Sequence, residues 1–118
     1  MTEPLEQLEQ VQRIAEAILD KKGEYVVALD MRELVSFADS FVLATGTSDR
    51  HVKTLADTVT ERGREIGLKS LGREGYDDGR WVLIDLGDVI VHLFQQEVRE
   101  HYDLERLWGD APALAVGE

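Results

Sequence analysis

Residues 80–94 constrain the fold more than any other segment of this sequence. Two nearly continuous apolar runs, residues 81–84 and 89–94, are rich in valine, isoleucine and aromatic side chains. Between them, residues 85–88 contain Gly87 at the position where a short hairpin loop needs a residue with positive φ. This pattern predicts a β-hairpin that is buried on both faces of a sheet.

Length and composition indicate a single globular domain. A chain of 118 residues can bury one sizeable core, and 43% hydrophobic with 31% charged residues is typical of a folded protein. Cysteine is absent, which excludes disulfides and thiolate metal sites. The N-terminus is polar and no apolar run approaches the roughly 20 residues of a membrane span, so we expect neither a signal peptide nor a transmembrane helix. We therefore expect a cytoplasmic protein.

The charge balance bears on the partner. A formal net charge of −11 repels phosphate backbones and attracts basic surfaces. We therefore expect little or no direct nucleic-acid binding and no membrane partner. The alternative is that the acidic balance only keeps the domain soluble.

The first half of the chain predicts two helices and two strands. An amphipathic helix is expected over residues 5–22, where apolar side chains recur at three- and four-residue steps: Leu8, Val11, Ala15, Ile18 and Leu19. Residues 25–29 and 40–45 are typical of strands, and their short connection predicts an antiparallel pair. A second helix should begin at Thr47 or Ser48 as N-cap and end at Gly67.

The second half completes the sheet. Residues 68–73 predict a short third strand and residues 74–79 a polar loop, and the hairpin then completes five strands. Helical turns are expected over residues 97–102 and 104–108, with Asp103 as N-cap of the second. The prediction is an α/β single domain with a mixed five-stranded sheet and flanking helices, a core of about residues 5–112 and a flexible tail over 113–118.

Catalytic and metal-binding patterns are weak. The histidines lack the spacing of metal ligands: His51, His92 and His101. Asp85 and Asp88 could hold a divalent ion for nucleotidyl transfer if they converged with the turn at residues 46–48. Their spacing of three spans a loop, however, so turn formation is the competing explanation.

Four segments, taken together, resemble a known family. Residues 39–52 contain G-T-S-x-R, residues 74–75 are Glu-Gly, residues 81–92 follow W-x-x-x-D-x-G-D-x-x-x-H, and residues 102–110 contain Y-x-L-E-x-L-W. In this order and spacing they resemble the Iojap family of ribosomal silencing factors, RsfS. The resemblance extends over about residues 25–112.

The resemblance implies a nucleotidyltransferase-like fold without known transferase activity, and no cofactor. Family members act as translational repressors that bind the fourteenth protein of the large ribosomal subunit and obstruct joining of the small subunit when nutrients are scarce. An acidic domain suits a basic ribosomal protein. Two alternatives remain: a large-subunit assembly factor that binds the same surface, and a metal-dependent nucleotidyltransferase. A homodimer is kept as an alternative to a monomer.

Matching the family pattern position by position predicts the partner-binding residues. The aromatic anchor is Trp81, and Glu74 and Asp88 are acidic partners of ribosomal lysine or arginine. Four further residues lie near the C-terminus: Tyr102, Asp103, Glu105 and Trp108. Aromatic anchors ringed by charge are typical of protein interfaces. The alternatives are that Trp81 and Trp108 are core residues, that Tyr102 only covers the sheet, and that Asp103 only caps a helix.

Overall fold

The structure, a computed structural model, describes residues 6–116. Along the chain the elements are α1 (Gln7–Asp20), β1 (Glu24–Asp30), β2 (Ser40–Gly46), α2 (Asp49–Glu65), β3 (Gly72–Glu74), β4 (Trp81–Asp85), β5 (Val89–Gln95), α3 (Gln96–Tyr102), α4 (Leu104–Leu107) and β6 (Ala113–Leu114). The strands lie in the order β3-β4-β5-β2-β1-β6. The sheet is mixed. Strands β2 and β5 pair in parallel, and the other four strand pairs of the sheet are antiparallel.

The predicted hairpin is present as β4 and β5. Gly87 has a φ of 84° in its loop, and the Asp85 carboxylate accepts the Gly87 N–H at 2.8 Å, which is the geometry of an Asx turn. Strand β5 is buried along almost its whole length, whereas β4 alternates between buried and half-buried residues. Burial on both faces was therefore predicted correctly for β5 and only in part for β4.

Helices α1 and α2 cover one face of the sheet, and their apolar side chains build the larger core with it. Ser48 caps α2, its hydroxyl accepting the His51 N–H at 3.0 Å, and Gly67 follows the helix end with a φ of 84°. Both ends agree with the prediction. Helix α1 begins at Gln7 and lies inside the predicted residues 5–22; the predicted start at Leu5 lies outside the described residues.

Residues 6–116 contain six strands, whereas five were predicted. Strand β3 begins only at Gly72, because Leu68 is buried against α2 and donates its N–H to the Gly63 carbonyl at 2.7 Å. Strand β6 lies within residues 113–118, the segment predicted as a flexible tail, and it pairs with Ala28 and Leu29 of β1. A strand of two residues has no periodicity that a sequence could reveal.

A second, smaller core lies on the opposite sheet face. It contains buried residues from β1, β2, β5, α3, α4 and the 31–38 connection: Leu29, Met31, Ala38, Phe41, Leu43, Ile90, Phe94, Val98 and Leu104. Toward the β3 edge this face is less well covered, and Trp81, Leu83 and Asp85 of β4 are only partly buried. The second face therefore changes from a packed core to an accessible margin across the sheet.

In the part of the chain that the structure describes, no helix is long and apolar enough to cross a membrane.

Candidate functional site

The accessible margin is built by strand register. Glu74 of β3 pairs with Leu83 of β4, and Leu83 pairs with His92 of β5. In the next row, Trp81 pairs with Phe94. Because directly paired residues of antiparallel strands point to the same face, these five side chains all lie on the second face.

A continuous line of six aromatic rings crosses this face, and we call it the aromatic ladder. In order, its members are Phe37, Phe41, Trp108, His92, Trp81 and Tyr102. The successive ring centroids lie 6.2, 4.7, 6.0, 6.0 and 4.8 Å apart. The two ends are exposed, since Phe37 is 67% and Tyr102 55% accessible, whereas Phe41 and His92 are buried. The ladder thus joins the second core to the surface.

Trp81 and His92 are joined by a hydrogen bond within the ladder. The Trp81 Nε1–H donates to His92 Nδ1 at 3.2 Å. His92 lies among the rings of Phe41, Phe94 and Trp108, and this burial lowers its pKa to about 4. The imidazole is therefore neutral at pH 7, with its proton on Nε2. Within residues 6–116 the Nε2 atom has no hydrogen-bond partner.

Four of the predicted partner-binding residues lie together at this margin. Glu74 is exposed on β3, Trp81 is half-buried at the start of β4, and Tyr102 packs on the Trp81 ring from the end of α3. Asp103 follows Tyr102 directly and is exposed. Together with Leu83, these residues form a surface that we call the docking face.

Asp103 occupies the N-cap position of α4, as predicted, but its side chain makes no capping hydrogen bond. Its backbone has a φ of 46°, in the left-handed region, and its carbonyl accepts the Arg106 N–H at 3.1 Å. The carboxylate of Asp103 is thus not used for capping.

The other three predicted residues lie elsewhere. Asp88 is exposed at the far end of the hairpin, separated from Trp81 by the length of β4, about 13 Å. The Glu105 carboxylate accepts from Arg99 Nε at 2.7 Å, so this exposed side chain already forms an ion pair with a buried arginine of the same chain. Trp108 is half-buried and packs edge-on against Phe41 with ring centroids 4.7 Å apart.

The Arg99–Glu105 ion pair positions α3 and α4. Arg99 is buried, and its Nη1 also donates to the Tyr25 carbonyl at 2.8 Å and to Thr45 Oγ1 at 2.9 Å. These bonds tie α3 and α4 to β1 and β2. Since Tyr102 ends α3, the buried arginine helps to hold the tyrosine ring over Trp81.

The residues required for nucleotidyl transfer are not brought together. Asp85 serves the hairpin loop, and the Asp88 carbonyl accepts the Ser40 N–H at 3.1 Å, at the start of β2. The turn at residues 46–48 follows the end of β2, and six residues of strand span about 20 Å. The turn is itself occupied locally, because Thr47 donates its N–H to His51 Nδ1 at 2.8 Å.

Sequence reasoning missed two residues of this region. Leu83 was assigned only to a buried strand, and the 81, 83, 85 alternation identifies its accessible face once β4 is known to lie near the sheet edge. His92 was considered only as a metal ligand. Its bond to Trp81 depends on the register between β4 and β5, which no local pattern reveals.

Comparisons with known proteins agree with the architecture. The family described as "Ribosomal silencing factor during starvation" matches residues 4–118. The ribosomal silencing factor RsfS of Halalkalibacterium halodurans is 44% identical over 108 residues, covering 92% of each chain. A crystal structure of a Chromobacterium violaceum protein has a TM-score of 0.82 at 41% identity, covering 95% of both chains. A more distant relative, mouse "Mitochondrial assembly of ribosomal large subunit protein 1", is 33% identical over 75 residues, which is 61% of this chain and 33% of that protein. The chain therefore belongs to the ribosomal silencing factor family, RsfS.

Proposed function

We propose that this protein is a translational repressor that binds the large ribosomal subunit through its fourteenth ribosomal protein. Bound there, it sterically blocks association with the small subunit, notably under nutrient limitation. The family name supports a ribosome-associated regulatory role. The observation that carries the proposal is the docking face, where a half-buried tryptophan packs on an exposed tyrosine. Exposed acidic side chains stand on the neighbouring strand β3 and at the residue after the tyrosine.

Trp81 is the proposed anchor of this contact. Its ring is held from below by Phe94 and His92 and from the side by Tyr102. A large ring that is already immobilised loses little conformational entropy on binding, which is how aromatic hot spots gain their strength. Leu83, next to it on the same face, adds apolar area.

Acidic side chains form the proposed rim. Glu74 and Asp103 lie at the docking face and suit lysine or arginine side chains of a basic ribosomal protein. Asp88 extends the proposed contact toward the far end of the hairpin, whereas Glu105 and Trp108 contribute by stabilising α3 and α4. The proposal also includes homodimerisation as an alternative to a monomer.

Sedimentation tests the proposal directly. The purified protein should co-sediment with isolated large subunits and with neither small subunits nor joined ribosomes, because an obstructing factor and a joined ribosome exclude each other. The measurement is the protein content of each ribosomal fraction after gradient centrifugation. Equal binding to all three fractions would contradict the proposal.

Salt should act mainly on the association rate. Electrostatic attraction between the acidic rim and a basic partner is screened beyond about 10 Å at 0.1 M salt, so the on-rate should fall from low to physiological salt. The double change Glu74→Gln and Asp103→Asn should flatten this dependence. The double change Glu9→Gln and Asp20→Asn, which removes two exposed acidic charges from α1, is the matched control and should leave it intact. An on-rate that does not change with salt refutes the acidic rim.

A second candidate function is assembly of the large subunit at the same surface. The printed name of the mouse relative supports it, since that protein is named for assembly of the mitochondrial large ribosomal subunit. Depletion of the protein distinguishes the two roles. Loss of an assembly factor should cause immature large-subunit particles to accumulate. Loss of a repressor should instead leave mature subunits that join too readily.

The proposal includes a cytoplasmic location, a nucleotidyltransferase-like fold without transferase activity, and little or no direct contact with nucleic acid. A metal-dependent nucleotidyltransferase is less well supported, because Asp85 and Asp88 lie about 20 Å from the turn at residues 46–48. Titration with Mg²⁺ and a nucleoside triphosphate tests it, and a measurable heat of binding would revive it.

A further inference from the structure

We propose that His92 is a positioning residue for Trp81: its Nδ1 atom binds the indole N–H and so determines which part of the ring the docking face presents. The inference rests on the proposed function, in which Trp81 anchors the ribosomal partner. His92 itself is buried and does not reach the surface.

Among the described residues, the indole N–H of Trp81 has a single acceptor, His92 Nδ1. The indole Nε1–H lies 3.2 Å from His92 Nδ1, and the two residues belong to neighbouring strands, with His92 paired to Leu83 and Trp81 paired to Phe94. An indole stacked only on apolar rings could slide or rotate. A directional hydrogen bond at its nitrogen permits one orientation.

Apart from its hydrogen bond to Trp81, a histidine at position 92 is unfavourable for the stability of the fold. Its neighbours in the second core are aromatic and aliphatic, and within the described residues its Nε2–H is buried without an acceptor. A buried donor that lacks a partner destabilises a fold, and an apolar side chain of similar size would avoid this cost. The hydrogen bond to Trp81 is the interaction that such a side chain could not make.

The hydrogen bond to His92 also limits the contacts that Trp81 can make with the partner. Because the indole N–H is already used, Trp81 presents ring carbons to the partner and has no donor left for a carbonyl or carboxylate. Acidic Glu74 lies on the same face through its pairing with Leu83, and the exposed Asp103 directly follows Tyr102. The group that meets Trp81 is therefore an aliphatic stem or a cationic side chain stacked on the ring.

Two variants of nearly identical shape separate positioning from packing. His92→Asn retains an acceptor close to the place of Nδ1, whereas His92→Leu fills the same space without one. We expect His92→Leu to weaken binding to large subunits about 3- to 10-fold, the usual effect of one hydrogen bond, and His92→Asn to remain within about 2-fold of the wild type. The Trp81 indole N–H resonance should shift and exchange faster with solvent in His92→Leu only.

Three results for these variants would overturn the proposal. Equal weakening by the two variants shows that only packing matters and overturns it. Binding of His92→Leu at wild-type strength overturns it as well, and so does an indole resonance that does not move.

The wild-type protein supplies a measurement that requires no variant to fold. Nitrogen-15 spectra of the free protein should show His92 with Nδ1 unprotonated and Nε2 protonated, and a proton on Nδ1 would overturn the proposal. Failure of the proposed function is distinguishable, because it appears as wild-type protein that does not bind large subunits, whatever the spectra of the free protein show.

Discussion

Replacing Trp81 with alanine should weaken binding to the large subunit about 30- to 1000-fold and abolish the block of subunit joining. Loss of a central interface aromatic typically costs roughly 2 to 4 kcal/mol of binding free energy. Trp81 is half-buried at the sheet margin, with Tyr102 beside it and His92 behind it, so part of its ring is available to a partner. Light scattering during subunit association measures the effect.

Thermal melting of the same preparation provides the control. A tryptophan that belonged wholly to the core would cost roughly 3 to 5 kcal/mol of folding stability on truncation. We expect Trp81→Ala to remain folded, because Val82 and Ile84 of the same strand keep their full burial in the larger core. Trp108→Ala is the matched comparison. Trp108 is also half-buried and packs on Phe41 and His92, so its loss should lower the melting temperature by a similar amount. A folded Trp81→Ala protein that blocks joining at wild-type strength would remove Trp81 as the anchor.

Acidification from pH 7 to pH 4 should lower the free energy of unfolding by about 3 kcal/mol. The cause is His92, because burial lowers its pKa to about 4 from an ordinary value of 6.5. Below pH 6.5 the unfolded chain binds a proton that the folded chain does not bind until about pH 4. The contribution of the neutral imidazole is therefore complete above pH 6.5 and is lost as the pH falls through this window. Urea unfolding at a series of pH values measures the slope.

The variant His92→Leu is the control for this prediction, and its unfolding free energy should vary much less between pH 7 and pH 4. The scan stops at pH 4 because a second group contributes below it. Hydrogen bonds from Arg32 hold the pKa of Asp30 well below its ordinary value of 3.8, so this carboxylate stabilises the fold above that pH and its contribution is lost on further acidification. Equal slopes in the wild type and in His92→Leu would show that another group is responsible.

The sequence by itself determined the features that depend on neighbouring residues. The hairpin, its glycine at positive φ and the Ser48 cap follow from turn and capping chemistry, which acts over two to four residues. The antiparallel pairing of β1 and β2 follows from the short connection between them. The family was also identified correctly, because its motifs combine at a specific spacing along the chain.

Tertiary structure decided the features that join distant residues. The sixth strand exists because Ala113 and Leu114 meet the edge of β1, and β3 starts late because Leu68 is buried against α2. Tertiary structure also separated the predicted acidic residues. Glu74 lies at the docking face, whereas Glu105 forms an ion pair with the buried Arg99. Pairing between strands and burial of charge depend on register and on free energies summed over the whole fold, so these contacts become definite only when the entire sheet has formed.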